Sequence, residues 1–153
     1  MNGVLKMKYS ENNFLDDLQR IERDIINSGK HYDYIVGIVR GGAIPAVCLS
    51  HRLELPMKCV SWSTFHAEQM KESAWDIAED IQDGKRVLVV DDILDSGRTI
   101  RELLDDWGTT REQIDIAVLV YNIDQKIIPD FYGRKINKSI DPSWVTFWWE
   151  KED

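Results

Sequence analysis

The residues from Val87 to Thr99 place three carboxylates, two hydroxyls and a glycine between an apolar run and a helical pattern. Backbone N–H groups at a helix N-terminus bind phosphate, and glycine lets the main chain approach a ligand closely. Asp91 and Asp92 alternate in direction at a strand end, so at least one faces the ligand, where a carboxylate accepts from sugar hydroxyls or binds magnesium. The chain has no GxxxxGKS or GxxxxGKT loop, which is typical of nucleoside-triphosphate sites. The segment therefore predicts a site for a monophosphate group, with a cation that offsets the acidic charge.

This segment resembles the phosphoribosyl pyrophosphate signature of type I phosphoribosyltransferases. In that family the acidic pair engages the ribose hydroxyls, and the resemblance assigns this role, together with the magnesium, to Asp91 and Asp92. In the purine members the first loop aspartate also acts on a nitrogen of the base, which makes Asp95 the candidate catalytic acid/base residue. The loop that binds the 5'-phosphate corresponds to Asp95, Ser96, Gly97, Arg98 and Thr99.

A second match, Val39 to Pro45, resembles the SRGGxxP stretch of bacterial xanthine-guanine phosphoribosyltransferases, in which the loop holds pyrophosphate. The physical chemistry agrees, because arginine offers several donors to phosphate oxygens and paired glycines let backbone N–H groups face an anion. Arg40, Gly41 and Gly42 are the candidate pyrophosphate-binding residues. The resemblance also implies a non-proline cis peptide bond, which we expect at Arg40–Gly41.

The aromatic segment from Trp144 resembles the tail of the same bacterial enzymes, whose first tryptophan stacks on the purine. The resemblance assigns base stacking to Trp144 and contact with the exocyclic groups to the backbone of Val145. Purine enzymes carry a lysine after the penultimate core strand, whereas this chain has Asn122 there and Lys126 a few residues later. Asn122 is the candidate base contact. An amide donates to an oxo group or accepts from an amino group, so the identity of the base stays open.

Hydrophobic periodicity predicts the elements that position these residues. Helices are expected at Glu11–Asn27, with Ser10 as N-cap and Gly29 as its end, at about Ile44–Leu53 and at Thr99–Trp107. Strands are expected at Tyr34–Val39, Met57–Trp62, Val87–Val90 and Ile114–Tyr121, with short β-like pieces at Phe131–Ile136 and Trp144–Trp149. The polar segment Ser63–Asp83 is expected to be a mobile loop or lid.

Alternating strands and helices imply a parallel sheet whose ligands bind beyond the carboxyl ends of the strands. We therefore expect a single α/β domain over residues 1–153, in which helices flank a mostly parallel central sheet in three layers. The resemblance to type I phosphoribosyltransferases adds a small hood built from the terminal segments. It also implies a homo-oligomer, either a dimer or a tetramer.

Composition limits the possible functions. The chain is 43% hydrophobic and 30% charged, and it contains neither a secretory signal nor an apolar run of membrane-spanning length, so we expect a cytoplasmic protein without a membrane partner. Its net charge of -8 opposes nucleic-acid binding. Cys48 and Cys59 lie in apolar segments outside any CxxC pair, and both are expected to be small buried residues.

Together these observations predict magnesium-dependent transfer of a 5-phosphoribosyl group from phosphoribosyl pyrophosphate to guanine, xanthine or hypoxanthine, in purine salvage. The partners would be this donor and a nucleobase. One alternative is a transferase for a pyrimidine or an unusual base. Another is a non-catalytic regulator that senses the donor, as in the pyrimidine-operon attenuators that resemble these enzymes and bind RNA.

A receiver-type signalling domain is a third alternative, because its first strand also ends in an acidic pair that binds magnesium. In receivers, however, that strand opens the domain, and a later strand ends in a phospho-accepting aspartate. Here two strand–helix units come first, and the next buried strand ends at Val120-Tyr121-Asn122 without an acid. The position of the acidic pair therefore argues against a receiver.

Overall fold

A computed structural model describes residues 5–61 and 76–151 of the chain. The elements are β1 (Lys6–Tyr9), α1 (Glu11–Ser28), β2 (Tyr34–Val39), α2 (Ala43–Leu53), β3 (Met57–Ser61), α3 (residues 76–82), β4 (Val87–Leu94), α4 (Arg98–Trp107), β5 (Asp115–Asn122), β6 (Phe131–Ile136) and β7 (Trp144–Phe147). A short 3-10 helix, Arg111–Gln113, precedes β5. In these two stretches of chain, no helix is long and apolar enough to cross a membrane.

Five strands form a central sheet in the order β3-β2-β4-β5-β6, and every neighbouring pair is parallel. The apolar residues at the start of β4 alternate between the two faces of the sheet, and helices cover both faces. Leu88 and Val90 pack in the layer that contains α1 and α2, whereas Val87 and Val89 pack in the layer of α3 and α4. The predicted three-layer α/β fold with a mostly parallel sheet is confirmed.

The first helix begins and ends where its sequence predicts. Ser10 Oγ accepts from the Asn13 N–H (3.1 Å), and Asn13 Oδ1 accepts from the Ser10 N–H (3.0 Å), which forms a reciprocal cap. Gly29 ends the helix with a φ of 70°, a conformation that glycine adopts without steric cost. Phe14, Leu18 and Ile21 are buried on the face toward the sheet.

A buried ionic cluster attaches α1 to β6 and β1. The side chain of Asp17 is buried, and it accepts from the Tyr9 hydroxyl (2.6 Å) and from Arg134 Nε (2.6 Å). Gly133 permits this approach, because a Cβ there would lie 2.3 Å from the Asp17 Cβ. The amphipathic pattern of α1 did not predict that Asp17 faces inward and bonds to residues of two other elements.

The chain termini form the predicted hood, in which β1 pairs with β7 in parallel. The first of these strands was not predicted, because Lys6–Tyr9 is too short and polar for a periodic signal. Aromatic packing holds the hood to the body, since the Trp149 ring stacks on Phe147 at 4.7 Å and meets Phe14 edge-on at 5.8 Å. The hood therefore covers the start of α1 and supports the segment that contains Trp144.

Two predictions need correction, and the second of them falls partly outside the described residues. Cys59 is exposed and Cys48 is only partly buried, so the expectation that both are buried is wrong; Cys59 lies on β3, an edge strand of the sheet. Of the predicted lid Ser63–Asp83, residues 63–75 lie outside the described part of the chain. Residues 76–82 are helical rather than a loop, and they bury Ile77 and Ile81.

Candidate functional site

The loop after β2 touches the carboxyl-terminal half of β4, because these two strands are neighbours in the sheet. A Cβ at Gly41 would lie 2.0 Å from Asp92 Oδ2. A Cβ at Gly42 would lie 2.6 Å from the carbonyl oxygens of Ile38 and Val90. Both glycines are therefore needed for the approach of this loop to the acidic pair.

The backbone of the Arg-Gly-Gly loop differs in detail from the expectation. The non-proline cis peptide bond is Val39–Arg40, one bond before the expected Arg40–Gly41. The Gly42 N–H donates to the Ile38 carbonyl (2.8 Å), so this N–H does not face an anion as predicted. Arg40 is exposed at the mouth of the loop, where its guanidinium can reach a bound phosphate.

Asp91 and Asp92 lie at the end of β4 and are partly buried. Burial raises the pKa of Asp91 well above its usual range, and the charge of Asp92 beside it adds to the shift. Burial also raises the pKa of Asp92, although the carboxylate accepts from the Ile93 N–H at 2.8 Å. Two carboxylates that are costly to ionise together are stabilised by a cation.

Magnesium fits the donor set that this pair offers. The described ranges contain no group of three or more His, Cys, Asp or Glu side chains arranged as a metal cage. Magnesium does not require one, because it commonly binds through one or two carboxylates together with substrate phosphates and water. Asp91 and Asp92 supply hard oxygen ligands of this kind beside the loop that contains Arg40.

The turn between β4 and α4 places main-chain N–H groups at the start of a helix. Gly97 is the N-cap of α4 with a φ of 76° and has no side chain to cap the helix. The Arg98 guanidinium pairs with Glu102 (2.9 Å) along the exposed side of the helix, and Ser96 Oγ accepts from the Arg98 N–H (3.3 Å). Thr99 follows in the first turn, half-buried. The N–H groups of this turn, rather than the Arg98 charge, are therefore placed to bind an anion.

Asp95 lies in a polar cluster that sequence reasoning only partly anticipated. One of its oxygens accepts from Asn122 Nδ2 (3.1 Å), and the other pairs with Lys138 Nζ (2.7 Å). The side-chain oxygen of Asn122, Oδ1, accepts from the backbone N–H groups of Asp124 (3.3 Å) and Lys138 (3.2 Å). The Asn122 side chain is 1% exposed, which does not fit its predicted direct contact with a base. In this arrangement it positions Asp95 and Lys138.

Lys138 was missed because it is 43 residues from Asp95 and follows β6, outside every recognised motif. One signal would have found it. A lysine two residues after a strand of a parallel sheet lies at the edge where ligands bind. The side chain is 19% exposed, so its ammonium group lies in the site rather than in bulk solvent.

Trp144 keeps a free surface for stacking, as the side chain is 56% exposed. Lys138 Nζ lies 5.2 Å from the centroid of its ring. The Trp144 N–H donates to the Leu5 carbonyl (2.8 Å), so the backbone groups of this residue face β1. Because alternate residues of a parallel ladder bond to the partner strand, the backbone groups of Val145 face the opposite edge. The Val145 side chain is buried.

A cavity of about 840 Å³ joins the Arg-Gly-Gly loop to the hood. Its lining residues are Arg40, Gly41, Ile44, Asp92, Trp144, Trp149, Glu150 and Lys151. It brings together Arg40 and Gly41 from the predicted pyrophosphate group, Asp92 from the ribose group and Trp144 from the base group. Glu150 and Lys151 were not predicted as site residues, because the resemblance of the aromatic tail assigned roles only to Trp144 and Val145. The Asp95 cluster adjoins this cavity through Lys138 and Trp144.

A family model described as phosphoribosyl transferase domain matches residues 7–152 of this chain. The chain belongs to the phosphoribosyltransferase family. Its curated relatives include the bifunctional protein PyrR of Citrifermentans bemidjiense, with 33% identity over 141 residues that cover 80% of this chain and 78% of the relative. They also include the xanthine-guanine phosphoribosyltransferase of Idiomarina loihiensis, with 28% identity over 143 residues, 88% of this chain and 83% of the relative.

Solved structures agree with this phosphoribosyltransferase fold. The purine phosphoribosyltransferase of Pyrococcus horikoshii Ot3 superposes with a TM-score of 0.71 at 24% identity, covering 97% of this chain and 96% of that one. The xanthine-guanine-hypoxanthine phosphoribosyltransferase of Helicobacter pylori gives a TM-score of 0.70 at 22% identity, with 95% and 93% coverage. The predicted family and fold are confirmed, and the protein is a phosphoribosyltransferase.

Proposed function

We propose that this phosphoribosyltransferase transfers the 5-phosphoribosyl group of phosphoribosyl pyrophosphate to a ring nitrogen of a 6-oxopurine, namely guanine, xanthine or hypoxanthine, in purine salvage. The observation that supports it is the single cavity of about 840 Å³ in which Arg40, Asp92 and Trp144 meet. A cation, a carboxylate and an open aromatic face suit the pyrophosphate, ribose and base of the two substrates. The named relatives that act on purines agree with this substrate class.

The donor is held in three places. The N–H groups at the start of α4 bind its 5'-phosphate, with Ser96 and Thr99 as hydroxyl donors. Asp91 and Asp92 accept from the ribose hydroxyls and hold magnesium. Arg40 binds the pyrophosphate at the mouth of the neighbouring loop. Magnesium, when bound, supplies charge stabilisation for the departing pyrophosphate.

The reaction exchanges one bond at the anomeric carbon. The carbon–oxygen bond to pyrophosphate breaks, and its electron pair leaves with pyrophosphate. The ring nitrogen forms the new carbon–nitrogen bond from the opposite face, through an oxocarbenium-like transition state with inversion. Asp95 accepts the proton that the base loses from its other imidazole nitrogen, because each carboxylate oxygen has a second acceptor site beyond its contact with Asn122 or Lys138. Trp144 stacks on the base and fixes its orientation.

The proposal includes features that follow from the sequence and its family. Residues 1–153 form one domain, the protein is cytoplasmic, and it assembles as a homo-oligomer, either a dimer or a tetramer. Light scattering during size-exclusion chromatography measures the assembly, and a monomer would contradict that part.

The decisive experiment is a base panel with phosphoribosyl pyrophosphate and magnesium, in which pyrophosphate release is followed. We expect release with hypoxanthine, guanine or xanthine, its loss with EDTA, and its recovery with added magnesium. Release with uracil alone would favour the pyrimidine alternative. If no base supports release, the regulator alternative takes its place.

A substitution tests the proposed acid/base role. Asp95→Ala is expected to lower kcat by about 100- to 10,000-fold, the range typical of a lost general acid or base. The KM for the donor should stay close to its original value, because the acidic pair and the helix N-terminus remain. Asp124→Ala is the matched control, since Asp124 is an exposed carboxylate that enters the cluster only through its backbone N–H. Unchanged kcat in Asp95→Ala would exclude the acid/base role.

A further inference from the structure

Arg101 contacts the turn to which the proposed function assigns the 5'-phosphate of the donor. Its Nη1 donates to the Ser96 carbonyl at 3.0 Å. The residue lies one helical turn after Gly97, because the Arg101 N–H donates to the Gly97 carbonyl (3.0 Å) at the start of α4. Side chains of a helix point back toward its N-terminus, which explains how this guanidinium reaches the turn that precedes the helix.

The Ser96–Gly97 peptide plane depends on an external contact for its orientation. The peptide bond is trans, so the Ser96 carbonyl and the Gly97 N–H point in opposite directions. Gly97 has a φ of 76°, and glycine populates positive and negative φ about equally. The plane can therefore rotate at little steric cost, and a contact that fixes the carbonyl also fixes the direction of the N–H.

The Gly97 N–H is available to a ligand. Within residues 5–61 and 76–151 this N–H has no hydrogen-bond acceptor. The Arg101 and Ile127 side chains pack closely against the same glycine, because a Cβ at Gly97 would lie 3.3 Å from Arg101 Nη1 and 3.0 Å from Ile127 Cδ1. These two side chains therefore support the turn, while its N–H donor stays unused.

We propose that Arg101 is a positioning residue for the 5'-phosphate, because it holds the Ser96 carbonyl in the orientation that turns the Gly97 N–H toward that phosphate. This inference rests on the proposed function, which places the phosphate at the start of α4. Arg98 is closer in sequence, but its guanidinium pairs with Glu102 (2.9 Å) along the exposed side of the helix. Arg101 thus acts through the main chain, by local orientation rather than by its charge alone.

The test compares Arg101→Met with Arg23→Met, which removes another exposed arginine, on α1. Ribose 5-phosphate is the probe, because it carries the phosphate of the donor whatever base is used. Binding is followed by NMR titration in about 0.5 M salt, which screens the loss of an exposed charge. We expect Arg101→Met to weaken ribose 5-phosphate binding by about 5- to 10-fold, since affinity falls with the fraction of molecules whose turn is correctly oriented. Pyrophosphate with magnesium should keep its affinity, and Arg23→Met should behave like the original protein.

The structural readout is the set of three-bond couplings between the Gly97 N–H and its two Hα protons, which report φ. In the ligand-free original protein and in Arg23→Met they should fit a single positive φ, whereas Arg101→Met should give values averaged over two orientations. In kinetics, the KM for the donor should rise by a factor similar to the loss of binding, while kcat changes little.

Three results would each overturn the role of Arg101. The first is a ribose 5-phosphate affinity that is undetectable in the original protein or unchanged in Arg101→Met. The second is an equal loss of affinity for pyrophosphate. The third is an unchanged set of Gly97 couplings while ribose 5-phosphate affinity falls. Binding and couplings are measured without turnover, so a protein that releases no pyrophosphate with any base would contradict the proposed reaction and leave this test intact.

Discussion

Gly41→Ala offers a sharp test of the contact between the Arg-Gly-Gly loop and the acidic pair. The added Cβ would lie 2.0 Å from Asp92 Oδ2 and 2.5 Å from its Cγ. Ordinary contact begins near 3.4 Å, so the carboxylate must retreat by about 1.4 Å or rotate away. The obstacle is the end of a side chain rather than backbone, which means that the fold can tolerate the change while the carboxylate leaves its place.

The expected effect of Gly41→Ala on stability is smaller than its expected effect on rate. Rotation of Asp92 gives up its hydrogen bond from the Ile93 N–H (2.8 Å), a loss of about 1 kcal/mol that lowers Tm by about 2–4 °C in a chain of this size. Displacement of a positioning group by about 1 Å costs on the order of 100-fold in rate. We therefore expect kcat/KM for the donor to fall by about 100-fold, which corresponds to about 2.7 kcal/mol.

The assay is steady-state kinetics with the donor varied, combined with thermal melting. Gly108→Ala is the matched control, because Gly108 ends α4 with a φ of 60° and a Cβ there meets nothing within 4 Å. This control variant should lose about 1–2 kcal/mol of folding free energy to backbone strain and keep its kcat/KM unchanged. Asp92→Ala, alone and combined with Gly41→Ala, completes a double-mutant cycle. Additive losses of kcat/KM, or an unchanged value in Gly41→Ala, would refute the proposed clash.

Two further predictions concern stability. Asp17→Ala leaves the Arg134 guanidinium without its carboxylate; because Arg134 is 36% exposed, we expect a loss of about 2–3 kcal/mol, less than for a fully buried pair, and a Tm lower by about 5–10 °C. Exposed Asp16→Ala is the control, and equal Tm values in the two variants would contradict the assignment. Burial and the hydrogen bond to Asp17 raise the pKa of Tyr9, so the folded state keeps a proton that the unfolded state loses above pH about 10, and stability falls as the pH rises further. Tyr9→Phe should reduce that fall by up to about 1.4 kcal/mol per pH unit in urea unfolding between pH 10 and 11, and identical slopes would exclude the effect.

Local patterns were sufficient for most elements of the fold. The boundaries of α1, β2 and β6 follow from apolar periodicity, from Ser10 as N-cap and from Gly29 as C-cap, because these signals depend on neighbours within a few residues. Residues 76–82 were harder, as a short amphipathic helix shows few periodic positions. Lys6–Tyr9 gave no signal because β1 forms only through pairing with β7, far along the chain.

The motifs also indicated the candidate site, since Asp91 and Asp92 lie at the end of a strand covered on both faces and Gly97 follows it, where a parallel sheet binds its ligands. By itself, the sequence determined a parallel α/β sheet, a glycine-containing turn after β4 that is predicted to bind phosphate, and a likeness to phosphoribosyltransferases. Only the tertiary structure decided that Gly41 lies against Asp92, that Asn122 is buried, and that Lys138 reaches Asp95. The physical reason is that each of these contacts joins residues tens of positions apart, which strand order brings together and which no local spacing encodes.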